Sequence, residues 1–242
     1  EPSWGNLQRR LYIQQKLWID AAIGPVDSEL RLYEAHYEES LPGHSDPVPL
    51  ARLFEEINKK AIVLVGDFHT LRQSRRSFLR LLRRAEYPQR VLIALEYVEA
   101  RHQGSVDEYL EGRLSLNELS EKLHTTDDPL MGGWNSYVPI FEWARKSRAR
   151  IIGIDPSRKS SNHRSLAYRD KFAAKCLKRA IREPHQHLFV LMGEMHLAPA
   201  HLPAALKMQG HAEDDIVTIY QHCDPLYFDL QNRNLEHETE VS

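Results

Sequence analysis

The sequence predicts an α/β protein: a mostly parallel sheet with helices on both faces and a helical cap inserted between two of its strands. Two observations carry this expectation. Five short runs, AIVLV (61–65), VLIAL (91–95), RIIGI (150–154), HLFVLM (187–192) and DIVTIY (215–220), are apolar and β-branched throughout rather than alternating. That is the pattern of parallel strands covered on both faces. Between them lie stretches of helical periodicity, and a strand–helix–strand order builds a parallel sheet through crossover helices.

The elements follow in chain order. Residues 1–50 form an N-terminal helical extension, with one helical pattern near LQRRLYIQQKLWIDAA and then a looser Pro-rich connection. The α/β domain occupies 51–225. After the first strand, Leu71, Ser74, Phe78, Leu82 and Ala85 recur at three- or four-residue spacing, while Arg72, Arg76, Arg80 and Arg84 fall on another face. This is an amphipathic crossover helix, and the six arginines between 72 and 84 read as its solvated face. The gap between the second and third strands is too long for one helix. Its segment 105–148 holds two or three, around a Gly-Gly turn, and forms the cap. LAYRDKFAAKCLKRAIRE (166–183) and PAHLPAALKMQ (199–209) supply two further crossovers, and 226–242 is a polar tail expected to fray.

Composition removes several classes of partner. The 242 residues are 42% hydrophobic and 27% charged with a net charge of −2, so the overall balance points to neither nucleic acid nor an anionic membrane. No stretch approaches the ~20 apolar residues that span a bilayer, so no transmembrane segment is expected. The chain starts at Glu1 without an apolar leader core; a cytoplasmic location is favoured, with a removed leader left open. Cys176 and Cys223 fit neither a metal knuckle nor a redox pair and read as free thiols.

Chemistry is expected where the strands end. In a parallel sheet, ligands bind beyond the carboxyl ends of the strands, where loops converge. The first strand runs into Gly66, Asp67 and His69; the second into Glu96; the third into Asp155; the fourth into Gly193, Glu194 and His196; the fifth into Gln221 and His222. Apolar strands with five polar ends suggest scaffold and site. The repeated Gly-acid-x-His singles out His69 and His196, and Glu96 follows a wholly apolar run. The glycines suit a turn that needs unusual backbone angles or close approach to the main chain. Two imidazoles with carboxylates fit two chemistries: a divalent metal that activates water, or a metal-free base oriented by a carboxylate. Trp134, Tyr137 and Trp143 read as cap packing, and Arg72, three residues after His69, as a candidate contact for an anionic ligand.

Those motifs carry a resemblance. GDFH, ALEY, HQGSVDEYLEGRLS, the W..Y.PIFEWAR segment, IIGID and GEMH, together spanning residues 50–220, resemble the ChaN-like branch of the bacterial superfamily that also holds the Tiki proteases, the TraB-type proteins and the erythromycin esterases. The resemblance implies a Rossmann-like core with an inserted helical cap. It also implies a catalytic site of His69, Glu96 and His196, with Asp67 and Glu194 beside the histidines; His69, Glu96 and His196 would be the ligands of any metal. Asp67 stands where relatives commonly carry Glu, and Asp155 where ChaN-like sequences often have Asn. The branches differ in activity: Tiki members are metal-dependent proteases, the esterases are hydrolases that need no metal, and ChaN is a haem-binding lipoprotein linked to iron uptake. The leading expectation is therefore a hydrolase of ester or amide bonds in small-molecule or peptide substrates, with a divalent transition metal as candidate cofactor. The alternative is a haem-binding, iron-uptake protein without catalysis, whose arginines meet the propionates. A homodimer is compatible with either.

Overall fold

The structure is a computed structural model and describes residues 4–23, 27–41, 48–123, 133–156, 165–181, 186–221 and 224–235. Within these, ten α-helices and five strands follow one another in chain order. Helices α1 (Trp4–Ile23), α2 (Ser28–Glu39) and α3 (Leu50–Lys59) precede β1 (Ile62–Asp67). Then come α4 (Arg72–Leu82), β2 (Val91–Glu99), α5 (Gln103–Leu110), α6 (Leu116–Lys122), α7 (Val138–Ser147) and β3 (Arg150–Asp155). The chain closes with α8 (Leu166–Ala180), β4 (His187–Gly193), α9 (Leu202–Met208), β5 (Ile216–Ile219) and α10 (Asp224–Asn232).

All five expected strands are present, and every pair is parallel, in the order β3-β2-β4-β1-β5. The uninterrupted apolar runs conceal an alternation between two cores. Val63, Val65, Ile93, Leu95, Phe189 and Leu191 pack with side chains of α4, α5 and α7 on one face. Ile62, Leu64, Leu92, Ala94, Leu188 and Val190 pack with those of α8 and α9 on the other. The three inner strands are buried on both sides because helices cover both, whereas the edge strand β5 is only partly buried. This alternation also decides which helix layer serves each polar residue at the strand ends.

The crossover helix after β1 has the expected buried face, with Ser74, Phe78, Leu82 and Ala85 inside, although Leu71 is exposed. Its arginines are not all solvated. Arg75 is 1% exposed, because it lies three, four and seven residues before Phe78, Leu79 and Leu82 and so shares their face. The looser Pro-rich connection also needs correction: residues 28–39 are the helix α2, started by Asp27, whose side chain accepts a hydrogen bond from the Glu29 amide (2.9 Å). Near the C-terminus, where a frayed tail is expected over 226–242, α10 continues to Asn232 and buries Phe228. Cys176 is a free thiol; Cys223, His222, Gly132 and residues 236–242 lie outside the described residues.

Candidate active site

The strand order brings three strand ends together. β4 lies between β2 and β1, with Asp67 paired in register with Gly193, so Glu96, His69 and His196 meet although they are distant in sequence. The Nε2 atom of His69 is 3.7 Å from one Glu96 oxygen, and the Nε2 atom of His196 is 3.9 Å from the other. Glu96 is 2% exposed and His196 5%, whereas the His69 side chain is 28% exposed.

Each ring is held from behind by an aspartate. His69 Nδ1 is 3.0 Å from Asp67 Oδ2, and His196 Nδ1 is 2.6 Å from Asp170 Oδ1. An ionised carboxylate only accepts hydrogen bonds, so each Nδ1 carries the proton and each Nε2 is left for the chemistry on the Glu96 side. The acids of the two motifs are therefore not equivalent. Asp67 orients its own histidine, with Arg75 Nη1 donating to its other oxygen (2.6 Å) and the Tyr137 hydroxyl to Oδ2 (3.0 Å). Glu194 turns away from His196. It accepts from the Tyr37 hydroxyl (3.0 Å) and from the Gln221 amide (2.6 Å).

The motif glycines are explained by space rather than by unusual backbone angles. Neither Gly66 nor Gly193 has a positive φ. A Cβ on Gly66 would lie 2.3 Å from Glu194 Cγ, and one on Gly193 would lie 3.3 Å from His69 Nε2 and 3.5 Å from Glu96 Oε2. Each glycine thus leaves room for a side chain of the site, and in each case that side chain includes one from the other motif.

Glu96 is fixed as an anion. Burial opposes its charge, but Arg169, then the two histidines and the Gly193 amide, bring its pKa down to about 2. The Gly193 N–H donates to Oε2 at 2.7 Å, and Arg169 pairs with Oε1 while also pairing with Asp155 at 2.9 Å. For His69, burial disfavours the charged ring, yet the bond to Asp67 and the nearby Glu96 carboxylate outweigh it and raise the pKa.

A divalent metal does not suit this arrangement. The Glu96 oxygens are already engaged by a guanidinium and a backbone amide, and a cation placed among the three side chains would stand against Arg169. Among the described residues, no group of three or more His, Cys, Asp or Glu side chains is arranged to hold a metal ion.

Several residues of the site lie outside the strand-end motifs. Asp170 and Arg169 come from α8, Arg75 from the buried face of α4, Tyr137 from the residue before α7 and Tyr33 from α2. Tyr137, expected as cap packing, does stack on Tyr97 with centroids 3.9 Å apart, and in addition bonds Asp67. Arg72 is exposed, and it is Arg75 that reaches Asp67.

Comparison with known proteins agrees with this picture of the fold. Residues 53–164 match the family described as "Haem-binding uptake, Tiki superfamily, ChaN", so the ChaN-like resemblance holds over that stretch. The solved structure of ChaN of Campylobacter jejuni, reported for cofacial heme binding, superposes with a TM-score of 0.59 at 14% identity, over 74% of this chain and 89% of that one. A solved structure of the Pasteurella multocida toxin, reported for a thiol-protease-like catalytic triad in its C-terminal region, superposes with a TM-score of 0.52 at 14% identity, over 81% of this chain and 30% of that one. Both likenesses are of fold. None of the curated proteins compared with the chain matches it significantly.

Proposed function

We propose that this ChaN-like chain is a hydrolase that activates water without a metal and cleaves an ester or amide bond, using His69, His196 and Glu96. The observation that carries the reading is the convergence of two Asp–His pairs on one buried anion, with both Nε2 atoms within 4 Å of Glu96. In this reading His196 Nε2 takes the proton of a water as its oxygen attacks the carbonyl carbon. His69, more exposed and with its charged form favoured, gives its Nε2 proton to the departing oxygen or nitrogen. Glu96 stays ionised next to Arg169. It stabilises whichever imidazolium is present without taking the proton itself.

The test is hydrolysis of a panel of activated esters and peptides by chelator-treated protein. Turnover by wild type, with loss of about 100-fold or more in His69→Ala, His196→Ala and Glu96→Gln, is the expected result. Equal rates in all four proteins would remove the hydrolase reading. A second reading, haem binding, is supported by the description of the matched family. Exposed Phe68 and Leu71 beside His69 give it an apolar rim on which a flat ligand could rest. Titration with hemin decides it: a shifted, saturable Soret band supports this reading, and a spectrum of unbound hemin removes it.

A further inference from the structure

Glu29, Tyr33, His36, Tyr37 and Ser40 share one face of α2, since side chains three and four apart on a helix are neighbours. That whole face lies against the site. Glu29 accepts hydrogen bonds from Ser165 Oγ (2.8 Å) and the Ala167 amide (3.1 Å) at the start of α8. The Tyr33 hydroxyl donates to Asp170 Oδ2 (2.5 Å), and the Tyr37 hydroxyl donates to Glu194. His36 Nδ1 is 3.2 Å from His201 Nε2, and His201 stacks on the Tyr33 ring with centroids 3.5 Å apart. Ser40 Oγ is 3.1 Å from the Tyr220 hydroxyl. Among the described residues of α2 only Tyr33 is buried, while Leu30 and Leu32 are exposed. The helix is therefore docked mainly by polar bonds to α8 and to the segments that follow β4 and β5.

We infer that Tyr33 is a positioning residue for His196, and that α2, which precedes the family-matched residues 53–164, is a working part of the site. The inference rests on the hydrolase reading above. Asp170 has two oxygens: one takes the His196 Nδ1 proton at 2.6 Å, the other the Tyr33 proton at 2.5 Å. With one bond, the carboxylate could turn about its Cβ–Cγ axis and the imidazole could follow. With both bonds its plane is fixed, and so is the direction of His196 Nε2 towards Glu96. Tyr33 serves only as a donor, because burial and the adjacent Asp170 carboxylate drive its pKa far up and keep the phenol neutral. Stacking on His201 holds the ring at the required place. The other pair is backed differently, by a charge: Asp67 is held by Arg75 of α4 and by Tyr137, just before α7.

The test is Tyr33→Phe in the full chain, which removes the hydroxyl and keeps the stacked ring. Two readouts are taken: the kinetics of ester hydrolysis, and the rate at which diethyl pyrocarbonate modifies each histidine, mapped by mass spectrometry. The expected result is a kcat lowered by about 10-fold or more with KM little changed, faster modification of His196, and no change at His69. Unchanged kcat and unchanged His196 modification would overturn the inference. So would equal acceleration at both histidines, which would mean a general loosening. If no protein, wild type included, hydrolyses any ester, the hydrolase reading fails, and the His196 modification rate alone decides whether Tyr33 positions it.

Discussion

Two histidines of one short motif, Gly-acid-x-His, stand in different surroundings. His69 is oriented from within its own motif, by an aspartate two residues earlier, and the cap-side layer backs that aspartate with Arg75 and Tyr137. His196 is oriented from outside, by Asp170 of α8, which Tyr33 of α2 backs in turn. The first half is local in sequence, charge-paired and at the mouth of the site. The second is assembled from three distant segments and is buried. A repeated motif therefore specifies the position of a ring at a strand end, but not the source of its orienting aspartate, which lies within the motif in one half and on a helix in the other.

The comparison can be broken most strongly at its shared centre. Glu96→Gln should lower activity by about 100-fold or more in steady-state kinetics, because the anion shared by the two Nε2 atoms is lost and only the aspartates behind the rings remain. The next largest effect separates the halves. Asp67→Asn should lower stability by roughly 3–5 kcal/mol, since it leaves the buried Arg75 guanidinium without its counter-charge. Asp170→Asn should cost only about 1–3 kcal/mol, because it disturbs hydrogen bonds to a phenol and an imidazole. Thermal or denaturant unfolding of the two variants checks the difference, and equal losses would show that the halves are built alike.

The pH dependence sharpens the contrast on the His69 side. With His69 as the proton donor, kcat/KM should fall on the alkaline side with an inflection above the ordinary value of 6.5, and Asp67→Asn should move that inflection down. The same shift acts on stability. A histidine whose folded pKa is raised contributes stability that is fully present below its unfolded value of 6.5 and is lost as pH rises through the folded value. Glu96 works in the opposite direction: folded near 2 and ordinarily 4.5, it contributes stability present above 4.5 and lost as pH falls towards 2. The smallest effects concern the glycines. Gly66→Ala, whose Cβ would overlap Glu194, should destabilise by about 1–3 kcal/mol, whereas Gly193→Ala should fold nearly normally and lose activity by crowding His69 and Glu96.

The sheet was legible in the sequence because the strands are short runs rich in apolar and β-branched residues, bounded by polar and glycine-containing segments, and too short for buried helices. The meeting of His69, Glu96 and His196 was legible because Glu96 directly follows such a run and each histidine closes the Gly-acid-x-His turn that follows one. The orienting partners were not. Asp170 and Arg169 sit in an ordinary amphipathic helix, where an acid and a base side by side look like solvated surface. Arg75 was masked by its arginine neighbours, although its spacing from Phe78, Leu79 and Leu82 placed it on the apolar face. Tyr33 lies in a stretch whose helix is signalled only by the Asp27 cap and whose site-facing side chains are polar, so no apolar stripe pointed inward.

The central claim, that both histidines keep their Nδ1 protons on aspartates and aim Nε2 at one carboxylate, can be read without a substrate. A long-range proton–nitrogen NMR spectrum of the imidazoles, recorded at alkaline pH where the rings are neutral, reports the tautomer of each histidine. Both His69 and His196 should be Nδ1–H tautomers, with the Nε2 resonances of both displaced in Glu96→Gln. An Nε2–H tautomer at either ring, or Nε2 resonances indifferent to the loss of Glu96, would contradict that claim.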